Sequence, residues 1–292
     1  MEKRIGFYPA LGTPLTKDGV LIEDSYCKQI DMMIDAGAQG VLCMGSMGNE
    51  AALTYPTYRR TAQVAEKAVN GRVPLFIGAM DNSVFRVKER IGLLEGVKFD
   101  GLVLTTPFYS MTTEDKLIAF FKECADASPV PVYLYDLPVV TKMKITYPMM
   151  QELAKHPNIK GIKTGDIVLA RLLHLHYPEL DLLFSNLDIF DVACSFGLPG
   201  VLDGMFTCMP VTSARLQKAY EKGDFKAAAK YVDDIINLRN LFAKHRISPG
   251  YTVAMNLLGL EGIYGNGFTC SDTTPEEIAD VTAMMKEIGE IQ

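Results

Sequence analysis

Short apolar runs rich in β-branched residues alternate along the chain with longer stretches whose apolar positions recur at helical spacing. The short runs fall at residues 6–11, 40–44, 74–78, 101–105, 131–136, 159–163, 181–185 and 200–202. Between them and after the last, the periodicity predicts helices over 24–36, 58–69, 83–95, 114–127, 148–156, 169–176, 189–196 and 211–221. Continuously apolar strands belong to a parallel sheet buried on both faces, and the interleaved helices are the cover such a sheet requires. Eight strand–helix units in residues 1–222 predict an α/β fold of the (β/α)8 TIM-barrel type. No GxGxxG follows the first strand, which weighs against an open dinucleotide-binding sheet.

After Gly223 the strand signals stop. Helical patterns cover 224–244, 251–258 and 275–288, the last with Thr273 or Thr274 as its N-cap. Residues 1–222 are thus expected to form the catalytic barrel and 223–292 a C-terminal helical extension packed on it.

Composition narrows the function. Of 292 residues, 48% are hydrophobic and 22% charged, enough to bury a large core. The net charge of −6 and the lack of a Lys/Arg run exclude nucleic acid as an expected partner. The opening Met1-Glu-Lys-Arg-Ile-Gly-Phe-Tyr8 has no signal-peptide core, and no apolar window is long enough to span a membrane. Cysteines 27, 43, 124, 194, 208 and 270 form no CxxC pair, as expected of reduced thiols in a cytoplasmic protein. Histidines 156, 174, 176 and 245 stand at no predicted strand end, so no metal site is expected.

Reactive groups of such a barrel sit at the C-terminal ends of its strands. The sixth strand ends in Ile159-Lys-Gly-Ile-Lys163, and period-two alternation puts Ile159, Gly161 and Lys163 on one face. Facing inward, Lys163 would project into the mouth among apolar walls, which favour the neutral amine that carbonyl attack requires. On spacing alone, a surface lysine at a strand end is equally open. The fifth strand supplies Tyr133 and Tyr135 on one face, where a hydroxyl can relay protons or simply be satisfied within the core. The second strand ends in Cys43-Met-Gly-Ser-Met-Gly-Asn-Glu50, a loop whose backbone N–H groups, with the Ser46 hydroxyl, suit a carboxylate or merely make a turn.

Together these segments resemble the dihydrodipicolinate synthase/N-acetylneuraminate lyase family of class I aldolases. The resemblance is carried by Thr13-Pro-Leu-Thr-Lys-Asp-Gly19, Gly45-Ser-Met-Gly48, Thr106-Pro-Phe-Tyr109, Tyr135-Asp-Leu-Pro138 and Gly161-Ile-Lys163, in family order. It implies a Schiff base between Lys163 and pyruvate or a pyruvyl substrate, with no cofactor and no metal. Tyr135 would relay protons, Ser46 and the Met47 N–H would hold the carboxylate, and Leu202 would turn its carbonyl to the pyruvyl end. Tyr109 would cross a subunit boundary to complete a Tyr–Ser–Tyr chain, within a homotetramer built as a dimer of dimers.

The substrate-binding set is completed by Thr164, Val140, Asn186 and Asp188. Val140 stands where the family's synthases carry an arginine for the aldehyde's carboxylate, and Met47 where a threonine is common. Ile189 and Gly204 replace a glutamate and a serine of the lyases. The expected reaction is cleavage or formation of a 2-keto-3-deoxy sugar acid or sialic-acid-like substrate, yielding pyruvate and an aldehyde. The alternatives are 4-hydroxy-tetrahydrodipicolinate synthesis, a 2-keto-acid dehydratase and a non-catalytic keto-acid sensor.

Overall fold

A computed structural model describes residues 6–265 and 273–292. Cys270 and the first five residues of the chain, about which the sequence raised expectations, lie outside the described residues. Strand β1 (Gly6–Pro9) and the two-residue β2 (Pro14–Leu15) precede helix α1 (Glu23–Asp35). Strand and helix then alternate through β3 (Val41–Cys43), α2 (Tyr55–Val69), β4 (Leu75–Gly78), α3 (Val84–Leu93), β5 (Gly101–Thr105) and α4 (Glu114–Ala127). Next come β6 (Val132–Asp136), α5 (Pro138–Thr141), α6 (Tyr147–Leu153), β7 (Ile159–Thr164) and α7 (Ile167–His176). The barrel finishes with β8 (Asp181–Phe184), α8 (Phe190–Ser195), β9 (Gly200–Asp203) and α9 (Pro210–Glu221). Helices α10 (Phe225–His245) and α11 (Ile247–Leu257), strand β10 (Ile263–Tyr264) and helix α12 (Pro275–Glu287) follow.

Eight strands pair in parallel in the order β1-β9-β8-β7-β6-β5-β4-β3. The remaining seam, between β1 and β3, is bridged where the Leu11 N–H donates to the Leu42 carbonyl at 2.8 Å. The sheet therefore closes into the expected TIM barrel. Among the described residues no helix is long and apolar enough to cross a membrane.

The floor of the barrel is packed by alternating large and small residues. Tyr8, Phe76 and Tyr133 come from β1, β4 and β6, and the strands between them present Gly101, Gly161 and Gly200, with Gly40 just before β3. The Phe76 and Tyr133 rings meet edge to face with centroids 4.9 Å apart. A Cβ on Gly101 would stand 2.7 Å from both rings, and one on Gly161 would stand 2.6 Å from Tyr133. Rings and glycines thus occupy one layer, and the layer above begins two residues further along each strand.

The C-terminal helices share the outer core. Phe242, Tyr251, Met255 and Met285 belong to the same buried cluster as Phe7 and Leu216 of the barrel. The small antiparallel pair β2–β10 ties the chain after β1 to this region, and no pattern in the sequence announced it. Helix α11 starts at Ile247, four residues before the expected 251. Pro249 falls in the first helical turn, where its missing N–H costs no hydrogen bond. Thr274 caps α12 with a reciprocal capping box to Glu277.

The floor packing yields a stability prediction. Gly161→Ala would put a methyl 2.4 Å from the Asp181 carbonyl oxygen as well as against the Tyr133 ring. It should destabilise the barrel by about 1–3 kcal/mol. A lower urea midpoint is the expected reading, and an unchanged midpoint would show that the layer is loosely packed.

Candidate active site

Two residues above the floor, Lys163 and Tyr135 are register partners on β7 and β6. Both point inward, and both are only 6% exposed. The Lys163 Nζ lies 3.8 Å above the centre of the Tyr135 ring. The surface-lysine alternative is thereby removed: alternation puts Lys163 directly above Gly161, whose vacancy is filled by Tyr133. Leu202 and Leu183 complete the apolar wall around this pair. Tyr133 serves the floor, its hydroxyl donating to Asp181 Oδ2 at 3.0 Å.

The loop after β3 is tightly constrained. Met44 has φ of 53° and Asn49 of 57°, conformations that non-glycine residues seldom adopt. Met44 is accommodated because Gly78 has no side chain: a Cβ there would fall 2.0 Å from the Met44 carbonyl oxygen. The Thr13 hydroxyl donates to the Gly48 carbonyl at 2.7 Å, tying the opening loop to this one. Ser46 stays exposed and Met47 half-buried, at the rim of the mouth.

Asn49 in the left-handed region turns the chain so that Glu50 is buried beneath the loop. There Arg90 Nε stands 2.9 Å from Glu50 and 3.0 Å from Asp81. Burial pushes the Glu50 carboxyl well above the usual range, and the Arg90 charge opposes it. Asn82, beside Asp81, accepts the N–H groups of Phe108 and Tyr109 on one oxygen, at 2.9 and 2.7 Å. One acidic–amide pair after β4 thus joins the loop after β3 to the loop after β5.

Ser46, Met80, Thr105, Phe108, Leu137 and Val140 line a largely apolar pocket of about 250 Å³. Val140 lies in the pocket wall, with no cationic residue among the pocket's lining. Thr105, the register partner of Tyr135, is buried with its hydroxyl unpartnered. Its place at a strand end on the inward face was visible in the sequence, and its role was missed. Tyr109 is 89% exposed and is not among the residues lining its own chain's Ser46 pocket.

Two expected substrate contacts are otherwise engaged. The Thr164 hydroxyl donates to Asp136 Oδ2 at 2.9 Å and accepts the Asp166 N–H at 3.0 Å. Thr164 follows Lys163 by one residue, so alternation turns it out of the barrel. Asp188 is gripped by Arg239 of α10 through two bonds of 2.8 Å, which holds its carboxyl below the usual range. Asn186 bridges the Asp188 N–H, at 3.2 Å, and the Gly165 carbonyl, at 3.4 Å. Asp203, one residue past Leu202, was also missed. Burial pushes its carboxyl up, against the Met205 N–H and the charges of Lys163 and Arg239. Arg239 carries no local signal, since only the packing of α10 brings it to the mouth.

Comparison with known proteins agrees with this geometry. The model of the "dihydrodipicolinate synthetase family" matches residues 3–265. A 4-hydroxy-tetrahydrodipicolinate synthase of Phenylobacterium zucineum is 30% identical, covering 97% of each chain. Another of that name, from Acidiphilium cryptum, is 30% identical over 87% of this chain and 88% of its own. Among solved structures, YagE of E. coli K12, a protein of the dihydrodipicolinic acid synthase family in complex with pyruvate, superposes with a TM-score of 0.89. It is 25% identical, with 98% of each chain covered. N-acetylneuraminate lyase of Proteus mirabilis shares the fold, with a TM-score of 0.89 at 20% identity over 99% of this chain and 100% of its own.

Proposed function

The chain belongs to the dihydrodipicolinate synthetase family, whose members are lyases and aldolases, and on that footing we propose that it condenses pyruvate with an aldehyde through a Schiff base on Lys163. The observation that carries this is the buried Lys163 amine, inward at the end of β7 and held over the Tyr135 ring. Its amine adds to the pyruvate carbonyl and expels water, giving an iminium. A proton lost from C3 yields an enamine, whose carbon attacks the aldehyde. Tyr135 protonates the new C4 oxygen, or in cleavage takes the proton from the C4 hydroxyl. Water then hydrolyses the iminium and frees the lysine. The iminium itself is the electron sink, so the chemistry calls for neither cofactor nor metal. Ser46 and the Met47 N–H hold the carboxylate, and the Leu202 carbonyl faces the pyruvyl end. The free cysteines among the described residues accord with a cytoplasmic enzyme.

Two aldehydes have separate support. The names of the curated relatives favour aspartate semialdehyde, and hence 4-hydroxy-tetrahydrodipicolinate synthesis. The expected sugar-acid reaction is favoured by one structural observation: Val140 leaves the pocket without a cation to pair the semialdehyde's carboxylate. The engagement of Asp188 by Arg239 weakens that second reading, because its oxygens are already taken. The second amide N–H of Asn186 remains as a contact for a hydroxyl.

Assembly belongs to the same proposal. Tyr109, Met111, Val139 and Val140 are an exposed apolar set on the loop after β5 and on α5, with Val140 at the pocket. A second copy across a two-fold axis would cover it and carry Tyr109 to the other subunit's Ser46. A dimer of such dimers is the proposed final state.

Borohydride added with pyruvate should attach a reduced pyruvyl group to Lys163, and Lys163→Ala should abolish labelling. Labelling elsewhere, read by peptide mass, would refute the mechanism. With aspartate semialdehyde and glyceraldehyde compared by kcat/KM, a semialdehyde preference of about tenfold or more is the synthase outcome. The reverse preference assigns the sugar-acid reaction. Finally, Tyr109→Phe and Lys163→Ala chains, each nearly inactive, should regain activity when mixed, because a mixed dimer holds one complete site. No recovery after verified subunit exchange would confine Tyr109 to its own chain.

A further inference from the structure

Met47 leaves the loop after β3 and lies along Gly204, on another part of the barrel rim. A Cβ on Gly204 would stand 2.8 Å from Met47 Cε, 2.9 Å from Cγ and 3.0 Å from Cβ. The whole side chain therefore runs past the Gly204 Cα. Gly204 has φ of −77° and ψ of −24°, a right-handed conformation open to every residue. Its missing side chain is thus a matter of space and not of backbone freedom.

The two residues follow β3 and β9, and β1 stands between those strands in the barrel. Met47 consequently bridges over the end of β1, where Ala10 belongs to the barrel's interior cluster. It packs against that cluster and against the outer core as well. One sector of the mouth, over β9, β1 and β3, is roofed by a thioether. The facing sector carries Thr105, Tyr135, Lys163 and Asn186.

We propose that Met47 and Gly204 are a matched pair that determines which aldehyde the site accepts. The thioether fills the space into which a long aldehyde chain would extend, so the second substrate is a short aldehyde and long polyhydroxylated ones are excluded. The chemistry of the contact points the same way. A thioether offers no hydrogen-bond donor and is at most a weak acceptor. Hydroxyls pressed against it would give up water without replacement. Methionine is also the most adaptable apolar side chain, so a methyl on Gly204 would displace it and leave the backbone in place. This inference rests on the pyruvate-aldolase reading of the site.

The test is a double-mutant cycle on the full chain, read as kcat/KM with pyruvate for glycolaldehyde, glyceraldehyde and an aldopentose. Met47→Ala should raise the ratio of long to short aldehyde use about tenfold. Gly204→Ala should push the thioether off Gly204 and over the mouth and lower use of every aldehyde by about tenfold, with pyruvate and borohydride still labelling the chain. In the double variant that loss should vanish, because no thioether is left to displace. Circular dichroism confirms that each variant is folded. A length preference unchanged by Met47→Ala, or losses that simply add in the double variant, would overturn the matched pair. A wild-type chain that borohydride and pyruvate fail to label refutes the aldolase reading itself, which separates the two failures.

Discussion

Three aromatic rings have to fit inside a closed ring of eight strands, and they fit only because the strands between them carry glycine. Tyr8, Phe76 and Tyr133 fill the floor of the barrel against Gly40, Gly101, Gly161 and Gly200. A protein interior packs as densely as an organic crystal, so neither set of residues can change alone. The layer also sets the register of the strands relative to one another. With Gly161 beside Tyr133, the next inward pair up is Lys163 beside Tyr135. The reactive amine is thus positioned by packing beneath it, on rigid strands and not on a loop.

Above that floor the mouth is shaped by strain and buried charge. Met44 holds a left-handed backbone conformation costly for its residue type, and Gly78 makes room for it. The buried ion pairs of Arg90 with Glu50 and Asp81 hold the far end of the same loop from below. Such buried charges contribute little net stability, but their geometry is demanding, and breaking one leaves an unpaired charge in the core. Asn82 then carries the constraint to the loop bearing Tyr109. The loop after β3 and the loop after β5 are therefore mechanically connected within one chain.

The C-terminal helices do more than cover the barrel. Tyr251 packs against the Gly12 backbone beside β1, where a Cβ would meet its ring at 2.8 Å. Arg239 reaches Asp188 at the mouth and adds its charge to the field around Asp203. Arg239, thirty-six positions beyond the last barrel strand, thus contributes to the electrostatics of the mouth.

Local pattern was enough to reveal the barrel, the strand-end positions and the inward face of Lys163, Tyr135 and Tyr133. Apolar runs of period two and helical runs of period 3.6 are properties of neighbouring residues, and alternation alone assigns each side chain to a face. The same rule, applied strictly, would have turned Thr164 outward and Thr105 inward. What the sequence could not supply were contacts between distant segments. Arg239 on Asp188, Met47 on Gly204, Arg90 on Glu50 and the β2–β10 pair join residues from 40 to nearly 250 positions apart. Their partners are chosen by how helices and loops pack in three dimensions, and no periodicity along the chain encodes that choice.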